Sequence, residues 1–221
     1  MKLMPLCGAA LLVSCSTPPL TKRVDSLLLS RAPTEVTSPV EASRGAALAA
    51  RGARADAARL VRDKAAAVEG ARRELAVAVD HVDEARLAAA SAARRGTPAD
   101  VAAAQASYEE LLGIAEISRL RVALAKRAHE TAMLRESLAL EESALAQARL
   151  ELTSGRAVER LDLGPGTAIA LADLRNEEQL ALREVEHAKQ RLSAARVAEE
   201  RARGAFDEAL EASASTTTGG R

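Results

Sequence analysis

From residue 40 onward the apolar side chains recur at alternating steps of three and four, the spacing that a helix of 3.6 residues per turn keeps on one face. In the middle stretch, residues 98–153, this seam runs through Ile117, Leu120, Leu124, Ala128, Thr131, Leu134, Leu138, Leu145, Ala148 and Leu152. A helix of that length, roughly 80 Å at 1.5 Å per residue, cannot be covered by a globular core and needs other long helices beside it. The same alternation fills residues 40–95, from Ala47 through Val68 to Ala92, and residues 168–212, from Leu171 through Val185 to Ala209. Alanine takes many of these positions, which lets helix axes approach closely and helices form at little entropic cost.

Two breaks divide the pattern. Gly96, Thr97, Pro98, Ala99 and Asp100 combine a stop glycine, a capping hydroxyl, a proline at the first helical position and an acid at the third. A break this short predicts an antiparallel hairpin. The second break begins at Ser154 and Gly155 and ends at Leu163, Gly164, Pro165, Gly166 and Thr167, with Thr167 placed to cap the third helix. The Ser, Thr and Gly tail, residues 213–221, reads as disordered. The expected fold is all-α with no β-sheet: three long antiparallel helices over 40–95, 98–154 and 168–212, forming either one coiled-coil bundle or two hairpins that share the middle helix.

Charged residues interrupt the seams at Arg54, Lys64, Arg127, Glu141, Glu178 and Glu199. Heights counted from the breaks put Arg54, Glu141 and Glu178 at one level and Lys64, Arg127 and Glu199 at another. Either these form two polar layers that set the register of a slippery Ala and Leu seam, or the long side chains snorkel out of a thin bundle.

Composition narrows the function. Aromatics are 1% of the 221 residues, only Tyr108 and Phe206, and the 28% of charged residues cancel to zero net charge. That is the balance of long helices and coiled coils, and it offers no field to hold a phosphate backbone, so nucleic acid is excluded as a primary partner. His81, His129 and His187 fall one on each helix without a second ligand at helical spacing, so no metal is expected. The chain has no phosphate loop, nucleophile elbow or HExxH, and Gly164 with Gly166 lacks the strand and third glycine of a dinucleotide fingerprint. No catalytic residue, cofactor or small-molecule substrate is expected.

The first fourteen residues carry one cation at Lys2, an apolar run through Leu12 and Val13, and small residues before Cys15. This layout reads as a secretory signal, too short to span a bilayer. Leu12, Val13, Ser14 and Cys15 resemble the lipobox of bacterial lipoproteins, which implies cleavage before Cys15 and acylation of its thiol. Cys7 would leave with the signal, so no thiol remains for a disulfide. Ser16 resembles the outer-membrane sorting pattern. Pro18, Pro19, Pro33 and Pro39 make residues 15–39 a tether, in which Leu27, Leu28 and Leu29 form the one apolar cluster. That cluster docks on the bundle or on lipid, or is an isolated turn.

Residues 160–175, RLDLGPGTAIALADLR, resemble the helix–turn–helix tip of outer membrane efflux proteins of the TolC type. Arg160, Asp162, Gly164, Thr167, Leu171 and Asp173 stand in the places of that motif, while Leu161 replaces its aromatic residue and Ala170 a common acid. The resemblance implies a periplasmic helical hairpin whose tip, residues 163–167, meets other helical envelope proteins. With one Tyr and one Phe the chain cannot supply the aromatic girdles of that family's β-barrel. Two functions are therefore expected. The first is a non-enzymatic coiled-coil lipoprotein on the periplasmic face of the outer membrane, a spacer or docking element whose partners are the membrane, other envelope helices or itself. The alternative is an accessory or degenerate TolC-like factor in efflux transport.

Overall fold

The structure, a computed structural model, describes residues 29, 32–161 and 170–218, with side chains described as far as residue 215. Among the described residues it is all-α, with no strand. Three long helices follow in order: α1 (Thr34–Arg95), α2 (Pro98–Leu161) and α3 (Leu171–Thr218). At 62 and 64 residues, α1 and α2 are each about 95 Å long. Cys15 and the tip residues Leu163, Gly164, Pro165, Gly166 and Thr167 lie outside the described residues.

The α1–α2 turn follows from its residues. The backbone N–H of Gly96 donates to the Ala92 carbonyl at 2.7 Å, and the chain leaves α1 in an extended conformation. A Cβ at Gly96 would sit 2.7 Å from the Ala92 oxygen, so this position requires glycine. Asp100 then closes a capping box: its Oδ2 accepts from the Thr97 backbone N–H at 2.8 Å and from the Thr97 hydroxyl at 2.7 Å, while its own N–H donates to Thr97 Oγ1 at 3.3 Å. These bonds to the ionised form hold the Asp100 carboxyl below its ordinary pKa.

Both outer helices lie along α2, and that helix carries nearly all of the contacts between elements. The arrangement is two hairpins that share the middle helix, an open layer with α2 at its centre. Every position of the first predicted seam from Ala47 to Ala92 is buried or half-buried except Arg54, which is exposed. At 48 residues α3 is shorter than α2, so the α1–α2 tip around Gly96 extends past it.

Four helix ends depart from the sequence boundaries. α1 begins at Thr34 and carries Pro39 inside it, rather than starting at residue 40. α2 continues through Ser154 and Gly155 to Leu161, instead of stopping at 154. Both extensions build one apolar cluster in which Leu29, Val40, Ala157 and Val158 are buried against Val36, Leu150 and Leu161. Val40 and Val158 are each 2% exposed. Burying such side chains contributes about 1.5–3 kcal/mol apiece, enough to offset the roughly 1 kcal/mol cost of a helical glycine and to carry a proline so near a helix start. Of the three-leucine run, Leu29 thus docks on the bundle. α3 opens at Leu171, where Ala170 accepts from the N–H groups of Asp173 and Leu174, and it runs past residue 212 to Thr218. Within that last turn the Ser215 hydroxyl donates to the Glu211 carbonyl at 2.9 Å.

Two outcomes follow. Because Asp100 titrates low in the folded chain, its contribution is complete at neutral pH and is lost as the pH falls through that lowered value. Asp100→Ala should therefore melt below the parent at pH 7 in circular dichroism, and the gap should close under acid. Leu192, 4% exposed, anchors α3. Leu192→Ala should cost about 2–5 kcal/mol and strip hydrogen-exchange protection from α3 while α1 and α2 keep theirs.

Candidate docking groove

Residues seven apart on a helix fall nearly in line, so the surface of α2 resolves into longitudinal rows. One row is Ile117, Leu124, Thr131, Leu138, Leu145 and Leu152, the leucine seam visible in the sequence. A second is Ala125, Ala132, Ala139, Ala146 and Thr153, and beside it stand Ala115 and Val122. Ala115, Val122, Ala132 and Ala139 are all buried, and the sequence seam contains none of them. They are the price of a second partner.

The two rows serve different neighbours. Ser43 of α1 donates its hydroxyl to Thr153 Oγ1 at 3.2 Å, and Ala139 meets Ala57 and Leu60 of α1 around one hollow. On the other side Leu145 shares a hollow with Leu182 and Val185 of α3, and Leu138 shares one with Leu192. Small side chains thus line the α1 contact and larger ones the α3 contact.

Between these rows runs a third: Ile114, Arg121, Ala128, Arg135, Glu142 and Arg149. From Arg121 to Arg149 it forms the floor of a groove walled by α1 and α3, with hollows of about 360, 500 and 430 Å³ in succession. Arg121 donates to Glu74 of α1, and Arg149 Nε donates to Glu178 Oε1 of α3 at 3.1 Å. The middle helix thereby ties itself to each outer helix by one arginine. Both pairs are largely exposed, so each is worth only about 0.2–1 kcal/mol, and their main effect is on register.

Among the described residues, no two of the six charges of the predicted polar layers form an ion pair with each other. Arg54 is exposed, and Arg127 pairs with Glu130 of its own helix at 2.7 Å. Glu178 meets Arg149, and Glu199 meets Arg203 four residues on at 3.6 Å. Glu141 is half-buried and, among the described residues, makes no ion pair. Of the six, Lys64 and Glu199 line a common hollow. Long side chains on a thin bundle reach water more readily than they reach each other across the seam.

At the other end of α3, Asp173, Glu177 and Glu151 of α2 gather acidic charge. Burial first, then the charges of Glu151 and Asp173, raise the Glu177 carboxyl above its ordinary pKa. Among the described residues no group of three or more His, Cys, Asp or Glu is set to hold a metal ion, and no helix is long and apolar enough to cross a membrane. His81 borders an apolar hollow with Val77, Leu111 and Ile114, beside the α1–α2 contact. Comparison with protein-family models, curated proteins and solved structures returned no match.

For a carboxyl raised in the folded state, the ionised form weakens the fold, and stability is gained as pH falls through the raised value. Glu177→Gln should therefore raise the melting temperature at pH 7, with the advantage vanishing once the parent glutamate is protonated. A parallel carboxyl titration by NMR should find Glu177 titrating above the ordinary glutamate value.

Proposed function

We propose that the chain is a lipid-anchored coiled-coil protein of the bacterial cell envelope, a non-catalytic spacer and docking element attached through Cys15 to the periplasmic face of the outer membrane. The observation that carries this reading is the α1–α2 hairpin, two uninterrupted helices of 62 and 64 residues joined by Gly96 and Thr97. A rod of about 95 Å with an alanine-packed contact is suited to hold something at a distance and poorly suited to enclose a substrate. The anchor is supported by Leu12, Val13, Ser14 and Cys15 in the order of a lipobox. Acylation at this cysteine and at its new amino terminus exceeds the two signals that stable anchoring takes. The cluster of Leu29, Val40, Ala157 and Val158 stands where the tether meets the rod and stiffens that joint.

Metabolic labelling with an alkynyl palmitate analogue, followed by membrane fractionation, tests this directly. The parent chain should take up label and sediment with outer membranes. Cys15→Ser should lose the label and leave the membrane fraction while keeping its helical circular dichroism. Unlabelled parent, or a labelled Cys15→Ser chain, would refute the anchor.

A further inference from the structure

All three helices change the sign of their charge at one height. In α1, residues 57–74 hold five Lys or Arg against three Asp or Glu, and residues 75–93 hold one against three. In α2, residues 119–136 hold five against two, and residues 101–118 none against three. In α3, residues 189–203 hold five against two, and residues 204–215 none against three. The three changes coincide in space, because Glu74, Arg121 and Arg203, one at each boundary, line a common hollow. The rod therefore carries a basic band about 27 Å long and, toward the Gly96 tip, an acidic band of similar length. Arg73 in the first band and Glu84 in the second are exposed and, among the described residues, make no ion pair. Where the bands meet, Val77, Leu111 and Ile114 line an apolar hollow of about 520 Å³, with Val77 55% and Ile114 43% exposed.

We infer that this part of the rod pairs with a second copy of the chain, antiparallel, about a two-fold axis through the hollow of Val77 and Ile114. The charge bands select both the partner and its direction. Antiparallel pairing lays the acidic band of each copy on the basic band of the other, twice over, and sets hollow against hollow. A parallel pair in register would set like band on like band and is selected against. A two-fold axis also closes the assembly at two chains, whereas a parallel pair staggered by one band would leave a free band at each end for further copies. An axis passing between Val77 and Asp80 brings Arg73 of each copy level with Glu84 of its mate. The overlap takes in roughly 55 Å of each rod and leaves the two Thr34 ends at opposite ends of the pair. This deepens the docking role proposed above and rests on that reading, but its test does not involve Cys15, so failure of the anchor leaves the result intact.

Sedimentation equilibrium of the full chain in density-matched detergent micelles tests this. At low salt and about 100 μM chain the parent should have the mass of two chains, and its dissociation constant should rise at least about tenfold between about 0.05 and 0.5 M salt. Arg73→Glu and Glu84→Lys should each weaken the pair about tenfold at unchanged helical circular dichroism, because the two-fold axis counts each reversal twice. Mixed in equal amounts, the two variants should pair with each other as tightly as the parent does with itself, since both contacts then regain opposite charges. That rescue separates a lost contact from a damaged fold. Arg156→Glu, exposed near the other end of α2, should change nothing. A single-chain mass at low salt, a mass above two chains, association that tightens with salt, indifference to both reversals, or a mixture no tighter than its components would overturn the inference.

Discussion

The structure depends on α2 burying two stripes at once. An isolated amphipathic helix has one apolar face, and a pair needs no more. Here the middle helix has a partner on each side, and its leucine row and its alanine row are turned to different neighbours. The alanine row brings α1 close, through Ala132 and Ala139 on one side and Ala47, Ala57, Ala71 and Ala78 on the other. The leucine row meets Val185, Ala188 and Leu192 of a shorter helix. Because the two rows are set at an angle around α2, the outer helices are held apart, and the groove between them is a direct consequence of the packing.

The charged row follows from the same geometry. A helix position between two seams is shielded at its base and open at its tip, which suits a long side chain with an aliphatic stem and a solvated head. Arginine fills it at Arg121, Arg135 and Arg149, and the forked guanidiniums of Arg121 and Arg149 reach carboxylates on opposite walls. An Ala and Leu seam tolerates slippage by a heptad, and such cross-links make one register better than its neighbours. Their free energy is small, but it is the difference between registers that matters.

The ends of the rod have different chemistry. The α1–α2 tip is closed by backbone and capping bonds at Gly96, Thr97 and Asp100, all of them local. The opposite end is closed by burial, where Leu29, Val36, Val40, Ala157 and Val158 meet across more than a hundred residues of sequence. Local bonds make the first end legible from a short stretch of sequence. The second end is not, because Pro39 and Gly155 read as breakers until their neighbours are known.

The sequence alone determined the three helices, the turn at Gly96 to Asp100, the α1 seam apart from Arg54 and the leucine row of α2, because periodicity and capping are written within a few turns of chain. The alanine row escaped it, since alanine contributes little contrast between buried and exposed faces in a chain so rich in it. Tertiary structure decided that Ser154 and Gly155 stay helical, that the outer helices lie apart, and that Glu178 meets Arg149 and not Glu141 or Arg54. Each of these turns on which residues of distant helices arrive at the same height. That height is set by packing summed over some forty residues, and no local window of sequence contains it.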